Sequence, residues 1–113
     1  KITECVNFAE EQAKKFGVRA PMVGHLGDGN FHVVLPFDPA KKETYKQIRA
    51  FNDSLIKKAL ELNGTITGEH GVGLHKKEYL LEEHPDNIPV MKSIKRTIDP
   101  NNIMNPGKIF DLN

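Results

Sequence analysis

Apolar positions recur along residues 2–16 at spacings of four and three. Ile2, Val6, Ala9, Ala13 and Phe16 share one helical face, and Gly17 is the expected stop. Cys5, at the edge of that face, reads as a buried thiol. The pattern then changes. Ala20–Leu26 and Phe31–Phe37 are short, Val-rich runs flanking Gly27-Asp28-Gly29-Asn30, the composition of a β-hairpin with a four-residue loop. Asp38-Pro39 reads as a helix N-cap followed by proline at the first helical position. Behind it Tyr45, Ile48, Phe51, Leu55, Ala59 and Leu62 trace an apolar stripe, closed by Asn63-Gly64. Thr65-Ile66-Thr67 is a short β-prone run, and Gly68-Glu69-His70-Gly71-Val72-Gly73 is too glycine-rich for the interior of a helix or strand. Val72–Leu81 is expected to wind into a helix. Ile88, Met91, Ile94 and Ile98 form a last amphipathic helix stopped by Asp99-Pro100, and Asn105–Phe110 is loop chemistry ending in two apolar anchors. The elements predict an α+β domain: an antiparallel sheet made of the hairpin plus one short strand, with three to four helices packed on one face.

Composition narrows the function classes. The 113 residues suit a single domain over 1–113. Sixteen Lys+Arg against fifteen Asp+Glu leave a formal charge of +1, which argues against a nucleic-acid binder held by bulk charge. No run of about 20 apolar residues offers a transmembrane span, and the opening residues are a polar helix pattern rather than a secretory signal. One cysteine excludes an internal disulfide and a cysteine zinc finger. The chain opens at Lys1, inside a helical pattern, so it is expected to be a piece of something longer.

Two clusters carry candidate chemistry. With residues 27–30 as the hairpin loop, Leu26 faces Phe31 and His25 faces His32. Directly opposed residues point to the same side with Cβ atoms roughly 5 Å apart, close enough for two imidazoles to share a metal ion. The second cluster, Gly68-Glu69-His70-Gly71, supplies a carboxylate and an imidazole on a loop. Two histidines and one carboxylate form a common ligand set for zinc or ferrous iron. His70 is then either a fourth ligand or a free base beside the metal. Adjacent residues on an extended loop diverge, which favours Glu69 as ligand and His70 as base. Asp28 reads as a turn residue, and Asn30 either bonds its own loop or offers its amide to a ligand. His75, Lys76 and Lys77 read as solvated helix positions, and His84 carries no signal. The glycines of 68–73 are not a dinucleotide fingerprint, because the order is wrong and no βαβ unit surrounds them.

Three motifs occur in order: Gly24-His25-Leu26-Gly27-Asp28-Gly29-Asn30-Phe31-His32, Gly64-Thr65-Ile66-Thr67-Gly68-Glu69-His70-Gly71-Val72-Gly73, and Asp99-Pro100 with Asn105-Pro106-Gly107-Lys108-Ile109-Phe110. Together they resemble the C-terminal domain of FAD-linked oxidases of the vanillyl-alcohol oxidase type, in the group of the glycolate oxidase flavin subunit and D-lactate and D-2-hydroxyglutarate dehydrogenases. The resemblance implies a ferredoxin-like cap fragment of an enzyme that oxidises a D-2-hydroxy acid to the 2-oxo acid by hydride transfer to FAD. The FAD-binding domain would lie outside these residues, and the fragment alone is expected to be inactive. Carried over residue by residue, His25, His32 and Glu69 match the metal ligands (for a divalent ion, expected to be zinc), and His70 matches the active-site histidine. Asn30 and His70 would meet the substrate, and Asn105 and Lys108 lie in the segment that runs back toward the flavin. Val34 stands where members acting on 2-hydroxyglutarate often carry Asn, which favours the glycolate and lactate branch. Implied partners are the small 2-hydroxy acid and an electron acceptor or partner subunit; apolar surface that would meet the flavin domain, left uncovered in the fragment, makes self-association an expectation. The implied location is cytoplasmic, with membrane association through partner subunits. Two rival readings are a non-catalytic metal-binding or oligomerisation module and a stand-alone metal-dependent hydrolase.

Overall fold

A computed structural model describes residues 1–38 and 40–112. Among them are four α-helices and one two-stranded antiparallel sheet, a small α+β arrangement: α1 (Ile2–Phe16), β1 (Met22–Val23), β2 (His32–Val33), α2 (Lys42–Glu61), α3 (Lys77–Glu83) and α4 (Ile88–Ile98). The chain divides into two compact units, Lys1–Gly64 and Thr65–Asn113.

In the first unit α1 packs along α2. Cys5 and Ala9 of α1 and Ile48, Phe51 and Ile56 of α2 are buried, and Phe51 is wholly enclosed. Burial pushes the Cys5 thiol above the ordinary cysteine range, as expected for an inert packing residue. Glu4 and Lys58 pair across the two helices at 2.7 Å, and the Lys58 ammonium also lies 5.8 Å from the Phe8 ring centroid. The hydrogen bond from Lys58 holds the Glu4 carboxyl below its usual range.

Both helix ends close where the sequence indicates. Val18 N–H reaches the Ala13 carbonyl at 3.0 Å and Gly17 N–H the Lys14 carbonyl at 3.2 Å, a Schellman closure of α1. Gly64 N–H to Ala59 and Asn63 N–H to Leu60 close α2 in the same way, at 2.8 and 2.9 Å. The start of α2 differs from expectation. The helix begins at Lys42 rather than behind Asp38, whose carboxylate accepts the Ala40 N–H at 3.0 Å while its carbonyl takes Lys41 N–H at 2.9 Å. Asp38 therefore shapes a separate turn ahead of the helix; Pro39, expected at its first position, lies outside the described residues. Tyr45, expected in the buried stripe, is exposed and packs against Phe37 with ring centroids 5.8 Å apart.

The hairpin register also departs from expectation. Met22 pairs with Val33 and Val23 with His32, so His25 does not face His32, nor does Leu26 face Phe31. The cause is local. The His25 carbonyl accepts both Asp28 N–H (2.9 Å) and Asn30 N–H (3.3 Å), winding Leu26–Asp28 into a 3-10 turn. At Gly24 the two chains come close together, and only glycine fits: a Cβ there would lie 2.5 Å from Phe31 Cα and 2.8 Å from the Asn30 carbonyl. Leu26 is left exposed on the turn.

The second unit holds α3 and α4, with Ile66, Leu80 and Ile88 buried. Thr65–Thr67 is not a third strand. Ile66 N–H donates to the Glu83 carboxylate at 3.1 Å, and the Ile66 carbonyl accepts from the Lys76 ammonium at 2.8 Å. Side chains thus hold the backbone groups that a neighbouring strand would need. The expected helix over Val72–Leu81 is confined to α3, after a run of turns. On α4 only Ile88 is fully covered; Ile94 and Ile98 of the same stripe are exposed.

The chain after α4 is organised by Asp99, which is buried. Its carboxylate accepts Ile103 N–H (3.0 Å), Met104 N–H (2.9 Å) and the Lys95 ammonium, and Lys95 also donates to the Met104 carbonyl. The Lys95 hydrogen bond is the largest of the influences that hold the Asp99 carboxyl below its usual range.

Gly24→Ala should disorder the hairpin, since its methyl would collide with backbone rather than with a movable side chain. Loss of amide-exchange protection at Met22, Val23, His32 and Val33, with α1 and α2 intact, is the expected outcome. Asp99 sets an acid limit on the second unit. Its folded-state pKa is lowered, so its contribution is present above the unfolded value and is lost as pH falls below about 4. Acid titration followed by NMR should release Ile103 and Met104 first, and Asp99→Asn should remove that pH dependence while weakening the tail at neutral pH.

Candidate functional site

The hairpin turn carries the first group of candidates. His25 sits two residues beyond the last paired position of β1 and is exposed; His32 lies in β2 opposite Val23 and is half-buried. The shared cross-strand placement expected of the two histidines is therefore not what the register provides. Asn30 is half-buried and its backbone N–H is tied to the His25 carbonyl, so the turn joins these two candidates through the main chain.

The second group sits in the second unit. Gly68, Gly71 and Gly73 have φ of 51°, 73° and 56°, a backbone that side-chain-bearing residues rarely adopt. Between the first two of these glycines, Glu69 Oε1 and His70 Nε2 lie 3.7 Å apart, with side chains 54% and 69% exposed. Neighbouring residues are thus presented to one side, where an extended loop would separate them. His70 N–H anchors the turn on the Thr67 carbonyl at 3.2 Å. An imidazole beside a carboxylate on such a loop can hold a divalent ion or move a proton.

Lys76 and Lys77 are not solvated helix positions. Lys76 is half-buried with its ammonium on the carbonyls of Ile66 (2.8 Å) and Thr67 (3.4 Å), and Lys77 binds both oxygens of Asp111 at 2.8 Å. A lysine on a short helix gives no sequence signal for either role. The only hint is the Lys-Lys pair following a loop that needs donors.

Asn105 and Lys108 come together on the tail, Lys108 Nζ donating to Asn105 Oδ1 at 3.0 Å. They line a pocket with Lys95, Asn102, Met104 and Phe110. Asn102 Oδ1 is buried without a hydrogen-bond partner among the described residues. Ile109 has φ 71°, an unusual conformation for a β-branched residue, and its N–H donates to the Gly73 carbonyl at 2.8 Å. Within this unit, therefore, the tail is bonded directly to the loop that carries Glu69 and His70. No helix among the described residues is long and apolar enough to cross a membrane.

Comparison with known proteins gives these features a family. The family described as FAD linked oxidases, C-terminal domain, matches residues 1–109. A D-lactate dehydrogenase [cytochrome], mitochondrial, of Kluyveromyces lactis is 39% identical over 113 residues, covering 99% of this chain and 19% of its own length. Glycolate oxidase subunit GlcD of Bacillus subtilis is 39% identical over 111 residues, 97% of this chain and 24% of that protein. A D-2-hydroxyglutarate dehydrogenase of Stutzerimonas stutzeri is 42% identical over 90 residues, 77% of this chain and 19% of that protein. The chain thus spans about a fifth of the length of the curated relatives it matches. With the match extending over nearly all of its residues, the chain belongs to the FAD-linked oxidase C-terminal domain family.

Proposed function

We propose that the chain is the substrate-facing C-terminal part of a flavoprotein that oxidises a D-2-hydroxy acid, of the lactate or glycolate kind, to the 2-oxo acid. The observation that carries this reading is the glycine-framed loop on which Glu69 and His70 stand 3.7 Å apart, bonded at Gly73 to the tail that holds Asn105 and Lys108. The names of the relatives, acting on D-lactate, glycolate and D-2-hydroxyglutarate, support the same substrate class.

In this reading His25, His32 and Glu69 hold a divalent ion, for which zinc suits the donor set of two imidazoles and a carboxylate. When bound, the ion supplies Lewis acidity toward the substrate's oxygens and FAD supplies the hydride acceptor. The chain's own residues do the rest. His70 takes the proton of the α-hydroxyl as the Cα hydride departs, so the alcohol loses two electrons and two hydrogens. Asn30 donates from its side-chain amide to the substrate carboxylate. Asn105 and Lys108 meet the cofactor's polar edge, the bulk of FAD being held by sequence outside these residues. The electrons would pass on to an electron acceptor or partner subunit.

Single substitutions in the full-length enzyme separate these roles. His25→Ala, His32→Ala and Glu69→Ala should lose bound metal together with activity. His70→Ala should keep its metal while the rate falls by roughly 10²- to 10⁴-fold, the usual worth of a positioned general base. Metal stoichiometry measured beside kcat decides the assignment: a His70→Ala enzyme as empty of metal as His32→Ala makes His70 a ligand and removes it as the base.

A further inference from the structure

The loop from Gly68 to Gly73 has three residues at positive φ and lies outside the two-stranded sheet, so little in its own backbone keeps Glu69 and His70 in place. Its base is held from the residue just before α3 and from the far end of that helix. The Lys76 ammonium bonds the carbonyls of Ile66 and Thr67, the two residues before Gly68. The Thr67 carbonyl also accepts His70 N–H, so one oxygen connects the lysine to the turn that carries the histidine. From the far end of α3, Glu83 accepts Ile66 N–H at 3.1 Å, fixing the other side of the same peptide segment. The lysine stays in this half-buried position although burial pushes its ammonium below the ordinary lysine range.

We propose that Lys76 is a positioning residue: its ammonium, bonded to the Ile66 and Thr67 carbonyls, holds the base of the loop so that Glu69 and His70 are presented together. The inference rests on the reading of Glu69 and His70 as site residues. Lysine suits the task because one flexible ammonium offers three donors and can serve two carbonyls at once. Methionine would fill similar space with no donor. Arginine keeps the charge and donors in a different shape.

The test uses the full-length, FAD-loaded enzyme as wild type, Lys76→Met and Lys76→Arg. Amide exchange by mass spectrometry over residues 67–73 should speed up about ten-fold in Lys76→Met, the effect of losing a charge-assisted hydrogen bond. Its kcat should fall about 10- to 100-fold, as for small misplacements of a catalytic group. KM should change less than kcat, and the melting temperature and FAD content should stay near wild type. Lys76→Arg should recover most of both effects, and it keeps the test open if Lys76→Met folds poorly. Unchanged loop exchange in Lys76→Met overturns the proposal, and so does faster exchange with wild-type kcat when Glu69→Ala and His70→Ala lose activity. Glu69→Ala and His70→Ala, measured alongside, separate the two levels. Wild-type kcat in both would bring down the reading of the site, while the exchange rates would still decide whether Lys76 holds the loop.

Discussion

Asp99 accepts two backbone N–H groups and a lysine ammonium at one buried carboxylate, and the course of residues 100–112 starts from that point. The second unit has much chain in turns and loops, and their polar groups need partners that no sheet among its described residues supplies. Charged side chains take the place of strand neighbours: Asp99 for Ile103 and Met104, Lys76 for Ile66 and Thr67, Glu83 for Ile66. Bonds to ionised groups are the stronger kind, about twice a neutral pair. They allow a loop to be ordered without regular secondary structure, and such a loop can shape itself around a ligand.

What could be read in advance follows the same division. The helices were legible because each property that specifies them is local: the 3–4 spacing of apolar residues, glycine or asparagine at a closing position, proline after the last turn. Register was not. Alternation settles which residues share a face, and that information repeats every two residues. Opposing His25 to His32 and opposing Val23 to His32 differ by two positions along β1, so the hydrophobic pattern is the same for both. The close approach at Gly24 and the double acceptance by the His25 carbonyl decide between them, and both are properties of the folded chain.

The site was legible to the extent that composition marks it. Glycines surrounding Glu69 and His70 indicate a backbone that needs freedom, and the two polar residues stand out among them. The supports were hidden. Lys76 and Lys77 look like any exposed helical lysines, yet each spends its ammonium on groups distant in sequence: Ile66 and Thr67 for one, Asp111 for the other. Only tertiary structure brings those acceptors near, so no local pattern could identify the pair.

The unusual backbone of Ile109 connects these observations. Left-handed conformation in a β-branched residue costs of order 1–3 kcal/mol and persists only where the surroundings impose it. Here the surroundings are identifiable. Ile109 N–H is bonded to the Gly73 carbonyl, and two residues later Asp111 is bonded to Lys77 at the start of α3. Both contacts tie the tail to the two ends of the segment that follows Glu69 and His70, one at the loop and one at the helix. Relaxing Ile109 to an ordinary φ would swing the chain after it relative to the chain before it, so the bond to Gly73 and the Asp111–Lys77 pair could not both be kept. The strain in the tail and the order of the loop are therefore parts of one balance: the tail is held out of its preferred conformation by the loop, and the loop is held in place by the tail and by Lys76.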